Sequence, residues 1–407
     1  MVSTGLDRLT AAPERLAGRR YAILGHGASV TSKGEPIHLA LSRLGQRPSA
    51  LFGPEHGFYG VEQDMVAAHG GQDPWTGVPV FSLYGDSEQS LRPEPASFSG
   101  LDLLVIDLQD VGSRYYTYAA TAVWAAQAAA AAGCEVWVLD RPNPLGGTVE
   151  GNLPESGFES FVGAFRTPVC HGLTLAELVR FVLAGTGALE AVDFWPMEGW
   201  SREMSWEETG LPWIAPSPNM PTLTTARIYP GGCLVEATEF SEGRGTTRPF
   251  QLFGAPHLDP LALAARLEQR QRQVPGIRGV GFLPTYFRPQ FQKHGGQRCG
   301  GIELWLSSSP PLEPYRLGIE LLAAAWECSP ENFAWRQAPY EFVIDRPAID
   351  LLTGGDTCRH ALEAGSEGRQ ELEDWMQSWR RDEQEFRQLR RPVLLYEDAP
   401  SEREGEV

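Results

Sequence analysis

The sequence is short of cysteine, of positive charge and of long apolar runs. It holds 6 cysteines in 407 residues, and Cys134, Cys170, Cys233, Cys299, Cys328 and Cys358 are scattered with no CxxC pair. That spacing argues against a disulfide framework or a structural zinc site and points to reduced thiols. Lysine and arginine number 34 against 52 aspartates and glutamates, a formal net charge of −18. Such a surplus repels a nucleic-acid backbone or an anionic bilayer, so neither is an expected partner. No stretch approaches the roughly 20 apolar residues of a membrane helix. The opening MVSTGLDRLTAAPERLAGRR has no apolar h-region, which leads us to expect no secretory signal and a cytoplasmic location. The chain also lacks GxxxxGK[ST], HExxH and GxSxG, the motifs of P-loop, zincin and α/β-hydrolase chemistry. No Cys/His/Asp set has metal-ligand spacing, and neither a metal nor a cofactor is expected.

The chain is otherwise that of an ordinary globular protein, with 42% hydrophobic and 21% charged residues. Its length suits two or three domains. In the first half, strand-like runs at 21–24, 50–52, 103–107, 136–140 and 192–195 alternate with helical runs at 37–44, 118–132 and 175–183. This alternation predicts an α/β protein with a parallel sheet. Gly133 suits a helix C-cap, and Thr174 with Glu177 has capping-box spacing. From about Cys233 the pattern changes to an apparent strand, a Gly/Thr turn and helices near 261–273, 315–326 and 371–389, with a strand at 301–306. We therefore expect a catalytic α/β domain over 1–232 and a smaller α+β domain over 233–396. The last helix is expected to be a solvated face, and 397–407 a disordered acidic tail.

Several strands run into polar turns, and in open α/β sheets ligands bind at the carboxyl ends of strands. The first turn is Gly53-Pro54-Glu55-His56-Gly57, whose glycines and proline fix the backbone and present Glu55. Glu55 either does chemistry or caps the next helix, and His56 either shares its proton or fills a gap. The second turn, Asp107 to Tyr118, carries Gln109, Asp110, Arg114 and Tyr116. Carboxylates and amides grip sugar hydroxyls, and tyrosines stack on sugar rings; an Asp–Arg pair holding the loop is the structural alternative. Asp140, Arg141 and Asn143 form a proline-stiffened third turn. His171 precedes a capped helix, and Asn219 sits in another proline-rich loop. In EATEFSEGRGTT, residues 236–247, Glu242 either serves catalysis or pairs with Arg244, while Arg244 and Thr246 could hold an anion. Gly25-His26-Gly27 resembles the start of a dinucleotide turn, but Val30 stands where the third glycine belongs, and a structural turn is the preferred reading.

LFGPEHG, SLYG, DLQDVGSRYYTY, VLDRPNPLGG, HGLTLAEL, PSPNMPT, YPGGCLVEATEFSEGRGTT and FGAP occur in this order from about Tyr21 to Tyr396. In these segments the chain resembles the NamZ-type exo-β-N-acetylmuramidases, glycoside hydrolases first described as a domain of unknown function. The resemblance implies a Rossmann-like N-terminal domain, a smaller C-terminal domain and a cleft between them. It implies release of N-acetylmuramic acid from the non-reducing end of peptidoglycan fragments, with Glu55 at the position of the family's catalytic acid. A non-catalytic muropeptide-binding protein on the same fold is the alternative. Burial in a closed cleft would keep Glu55 protonated, with His56 tuning it. The second group is expected to be Asp110, Glu242 or the substrate's own acetamido group. Muramic acid carries a lactyl carboxylate, so an acidic protein needs a local cation for it. Among Arg244, Arg114 and Arg141 we favour Arg244. The partner expected is thus a small muropeptide or disaccharide.

Overall fold

The computed structural model describes residues 1–62, 70–85, 87–307 and 312–397. The tail expected to be disordered lies outside the described residues from 398 onward.

The larger sheet is built from β1 (Tyr21–Gly25), β2 (Ala50–Gly53), β3 (Gly71–Gln72), β4 (Pro79–Ser82), β5 (Leu103–Asp107), β6 (Glu135–Leu139) and β7 (Val192–Trp195). Their order is β3-β4-β2-β1-β5-β6-β7, and all neighbours are parallel except β3 against β4. The central strands β1 and β5 are buried along their whole length, as strands covered on both faces must be. The chain steps outward from β1 to β2 and β4, then returns to the other side of β1 with β5. Strand order therefore reverses between β1 and β5, and the loops leaving their carboxyl ends open into a crevice.

The expected helices form at Ile37–Arg43, Tyr118–Ala131 and Leu175–Leu183. Tyr118–Ala131 is buried on nearly every side, because its alanines let neighbouring elements approach closely. The Thr174–Glu177 capping box is present, and it satisfies two otherwise orphaned N–H groups.

A second, antiparallel sheet has the order β8-β10-β9, with β8 (Leu252–Ala255), β9 (Val280–Phe287) and β10 (Cys299–Leu306). Helices Pro260–Gln271 and Pro314–Cys328 accompany it. Two sequence expectations need correction here. The apolar run at Cys233 is not a strand: Cys233–Ala237 is a 3-10 turn that continues directly from helix Leu223–Gly232, and all five residues are buried. Residues buried all round show no period that separates the two states. The last helix, Arg369–Arg390, is not simply a solvated face. It buries Leu372, Met376, Trp379 and Phe386, and Trp379 stacks on Tyr315 with centroids 4.5 Å apart.

One hydrophobic core runs through both parts of the chain, from Leu24 and Ile106 to Leu322 and Trp379. Helices Leu223–Gly232 and Pro314–Cys328 meet where Gly231 faces Gly318. A Cβ on Gly231 would lie 2.1 Å from the Pro314 carbonyl oxygen, so this crossing requires glycine. The last helix and the segment after it then tie the chain back to the large sheet. Arg390 donates to the carbonyls of His171 and Gly172 at 3.1 and 2.9 Å, and Tyr396 donates its hydroxyl to Asp140 at 2.7 Å.

Candidate active site

The turn after β2 is fixed by its backbone. A Cβ on Gly53 would lie 2.2 Å from the Phe58 nitrogen, so the chain can double back only with glycine there. The Gly57 N–H donates to the Pro54 carbonyl at 3.0 Å. His56 takes φ 68°, a left-handed conformation uncommon for a side-chain-bearing residue, and Gly57 follows at 76°. The turn directs Glu55 into a cavity at the carboxyl end of the sheet.

That cavity is narrow as the side chains stand, about 40 Å³, room for a water molecule or two. Glu55 and His56 line it from the turn after β2, and Tyr116 and Thr117 line it from the segment before helix Tyr118–Ala131. Ser217 and Asn219 come from the proline-rich loop. Glu236, Arg244, Tyr340 and Glu341 come from the C-terminal part of the chain. Glu55 is 5% exposed. Its Oε2 accepts a hydrogen bond from Thr117 Oγ1 at 2.8 Å, and its carbonyl accepts one from the Tyr118 hydroxyl at 3.3 Å. Tyr118 also donates to the Pro216 carbonyl at 2.9 Å, which ties three loops together. The Nδ1 of His56 lies 3.0 Å from the Glu62 carbonyl, so this nitrogen carries the proton and donates.

The cationic wall is a network rather than a lone guanidinium. Arg244 donates to Glu236 Oε1 from Nε at 3.1 Å and from a terminal nitrogen at 2.6 Å. Its Nε also lies 3.5 Å from Glu242, and the Phe250 ring lies 5.1 Å from its Cζ. Glu236 Oε2 accepts the Tyr340 hydroxyl at 2.6 Å. Burial opposes the charge on Glu236, but Arg244 and Tyr340 outweigh it and hold that carboxyl below its usual range. Burial raises the phenols of Tyr116, Tyr229 and Tyr340, so the aromatic wall stays neutral.

Glu341 and Phe342 occupy the two central positions of a tight turn. The N–H of Tyr340 donates to the Val343 carbonyl at 3.1 Å and the reverse bond is 2.9 Å. Both central residues are left-handed, with φ 46° and 69°. Such turns favour Asn-Gly, and a side-chain-bearing residue there costs about 1–2 kcal/mol.

Among the residues expected from sequence, Glu55, His56, Tyr116, Asn219 and Arg244 meet in this cavity. The others are not among the described residues that line it, and the structure gives them partners within the protein. Arg114 is buried and donates to the carbonyls of Asn152, Thr167 and Leu352 at 2.8–2.9 Å. Arg141 forms a two-pronged pair with Asp107 and also reaches the Val30 carbonyl. Asp140 accepts from the Ala176 N–H and from Tyr396, at the start of helix Leu175–Leu183. Asn143 is held at both ends, donating to the Leu173 carbonyl and accepting from the Leu145 N–H. The Gln109 amide donates to the carbonyls of Asp110 and Pro142. Thr246 closes its own turn by donating to the Gly243 carbonyl. His171 is buried, accepts from the Leu173 N–H at Nδ1 and faces Asp110 at 3.6 Å. Asp110 in turn accepts the Gly112 N–H at 2.6 Å. Glu242 accepts from Lys293 at 3.0 Å. Neither Asp110 nor Glu242 is among the described residues that line the cavity.

A second, smaller pocket lies at the crevice between β1 and β5, lined by Ala28, Val30, Gln109 and Arg141 among others. His26 is buried there, accepts the Gln109 N–H at Nε2 at 2.8 Å, and is pushed down to about 3 by burial and by the nearby Arg141 and His56 charges. Among the described residues, no group of three His, Cys, Asp or Glu side chains is placed to hold a metal ion, and no helix is long and apolar enough to cross a membrane.

Sequence reasoning missed Thr117, Glu236, Tyr340 and Glu341 as site residues. Thr117 and Glu236 lie inside motifs it singled out. Tyr340 and Glu341 lie in no motif.

Comparison with known proteins matches this architecture. The N-terminal model of exo-beta-N-acetylmuramidase NamZ matches residues 21–224, and the C-terminal model matches residues 227–396. Peptidoglycan beta-N-acetylmuramidase NamZ of Bacillus subtilis (strain 168) is 35% identical over 400 residues, covering 97% of this chain and 91% of that protein. Two crystal structures of DUF1343 family proteins from Bacteroides fragilis NCTC 9343 superpose on it. One has a TM-score of 0.82 and 30% identity over 97% of this chain and 99% of that one. The other has a TM-score of 0.74 and 29% identity over 98% and 99%.

Proposed function

The chain belongs to the exo-β-N-acetylmuramidase NamZ family, and from that premise we propose how it works as a glycosidase releasing N-acetylmuramic acid from the non-reducing end of peptidoglycan fragments. The observation that carries the reading is the placement of Glu55 and Arg244 in one cavity at the carboxyl end of the sheet. In this proposal residues 1–232 supply the acid, and 233–396 complete the cleft.

Glu55 is the general acid. It gives its proton to the glycosidic oxygen as the bond to the anomeric carbon breaks. Thr117 holds one of its oxygens, so the carboxyl points in one direction before substrate arrives. His56 stands next to it with Nδ1 engaged by the Glu62 carbonyl, which fixes the ring. Tyr116 and Tyr229 supply neutral aromatic surface for a sugar ring. Arg244 is the cation for the lactyl carboxylate, sharing its charge with Glu236 and Glu242. That sharing tempers its pull on any anion and favours a ligand already shaped to the cavity. We also propose that the enzyme acts in the cytoplasm on imported fragments. All six cysteines are free, and five of them are buried, as suits a reducing compartment.

Turnover of 4-nitrophenyl β-N-acetylmuramide tests the reading. The wild type is expected to release nitrophenol, and Glu55→Gln to abolish release while binding persists. Unaltered turnover in Glu55→Gln would remove Glu55 from the mechanism. Absence of turnover by the wild type on this substrate and on a MurNAc–GlcNAc disaccharide would leave a binding protein instead. Cell fractionation checks the compartment.

A further inference from the structure

We propose that the basic connection between β9 and β10, residues 288–298, holds the lactyl carboxylate of the next muramic residue in longer peptidoglycan fragments. This rests on the glycosidase reading above and extends it to the length of fragment that the enzyme prefers.

In a chain of net charge −18 this stretch is an exception. Residues 286–298 carry Arg288, Lys293 and Arg298 with no aspartate or glutamate among them, and the flanking acids in sequence are Glu268 and Glu303. The fold sets this charge beside the Arg244 wall of the cavity. The Gln290 N–H donates to the carbonyl of Gly245, the residue after Arg244, at 2.9 Å. A Cβ on Gly245 would lie 2.8 Å from the Phe291 carbonyl oxygen, so the two segments meet backbone to backbone. Lys293 fastens them. Its ammonium donates to the carbonyls of Val235, Glu236 and Phe240 and to the Glu242 carboxylate, all at 3.0–3.2 Å.

Arg288 and Arg298 are engaged differently. Both are exposed, and among the described residues neither pairs with a carboxylate. Arg288 donates to the Gly296 carbonyl at 3.3 Å, and the Arg298 guanidinium lies over the Tyr286 ring, 4.9 Å from its centroid. Tyr286 and Phe291 are themselves exposed, by 61% and 43%. Exposed rings interleaved with exposed guanidinium groups suit an anionic sugar chain: the rings stack on pyranose faces, and the forks take carboxylates. A fragment with muramic acid in the cavity continues with neutral N-acetylglucosamine and then a second muramic acid. Its charges therefore recur at intervals with a neutral sugar between them, as the cations and rings do here. The net charge of the protein opposes such a ligand at long range, and the connection next to Arg244 supplies the local attraction.

The wild type and the Arg288→Gln/Arg298→Gln double variant, assayed at low salt on peptide-free MurNAc–GlcNAc and on its tetrasaccharide dimer, test this. The wild type is expected to show a kcat/KM for first cleavage about three- to tenfold higher on the tetrasaccharide, the scale of two exposed ion pairs. That ratio is expected to fall to about one in the double variant, at high salt, and when the inner lactyl carboxylate is converted to its amide. Arg288→Lys/Arg298→Lys keeps both charges and is expected to retain most of the ratio. Equal kcat/KM on the two substrates in the wild type would overturn the proposal. So would a ratio that survives in the double Gln variant or with the amidated tetrasaccharide. If the double Gln variant does not fold, the salt and amide comparisons decide. Calorimetry on Glu55→Gln reads the same ratio as affinities, without turnover. Failure of the wild type to cleave either substrate would count against the glycosidase reading, whereas tighter tetrasaccharide binding that amidation abolishes would still uphold the role of the basic connection.

Discussion

The Thr117 hydroxyl donates a 2.8 Å hydrogen bond to Glu55 Oε2, joining the segment before helix Tyr118–Ala131 to the turn after β2. The two residues are 62 positions apart in sequence, and the parallel sheet brings their loops together at one end. A carboxyl held on one oxygen keeps the other for the substrate.

Thr117→Val removes this bond and keeps the side chain's shape. We expect kcat to fall about tenfold, the equivalent of one hydrogen bond of ~1.4 kcal/mol, with KM little changed. Steady-state kinetics on the chromogenic muramide check this. A change confined to KM would mean that Thr117 binds substrate rather than orienting the acid.

Arg244→Ala should cost both specificity and stability. It leaves the buried Glu236 without its cation, a loss of about 3–5 kcal/mol for broken buried pairs. We expect a lower Tm and loss of the preference for muramic over glucosamine substrates in kcat/KM. Arg244→Lys keeps the charge without the fork, so it should recover more stability than specificity. A preserved muramic preference in the folded Lys variant would show that another group reads the lactyl carboxylate.

Trp379→Ala should loosen the last helix. Its ring is 4% exposed and stacks on Tyr315. Removal of such a buried ring costs about 3–5 kcal/mol. Denaturant unfolding gives the number. A loss below about 1 kcal/mol would mean that the helix is held mainly by its polar contacts to the large sheet.

Stability should fall as pH rises from acid to mildly alkaline. Burial, with Glu177 adding to it, pushes the Asp140 carboxyl up to about 7, and burial pushes Glu150 up to about 8. A carboxyl raised by folding adds stability that is complete below its unfolded value near 4. That stability is lost as pH climbs through 7 and 8. Tm is therefore expected to decline from pH 5 to pH 9, and Asp140→Asn and Glu150→Gln to flatten the decline. Both residues hold the two parts of the chain together. Glu150 accepts the N–H groups of Tyr315 and Arg316, and Asp140 accepts the Tyr396 hydroxyl. A Tm that rises steadily to pH 9 in the wild type would contradict these assignments.

The large sheet was legible in the sequence where burial on both faces leaves an unbroken apolar run, as in Leu103–Asp107. The partly exposed strand Pro79–Ser82 and the mixed strand Val280–Phe287 were not, because proline and exposed positions blur their pattern. The GPEHG turn could be picked out because glycine and proline declare a special backbone before any fold is known.

Among the arginines, sequence alone could name candidates but not choose between them. Arg114 and Arg141 stand in motifs as distinctive as the one around Arg244. Only the tertiary structure spends the first on three carbonyls and the second on Asp107. By itself the sequence determined the parallel α/β plan, the Glu55 turn and the need for a local cation in a chain of net charge −18. Tertiary structure decided which cation shares a cavity with Glu55, and it brought Glu341 there from a segment with no motif. Backbone turns are written in neighbouring residues. Which buried charges are already satisfied depends on partners up to 256 positions away.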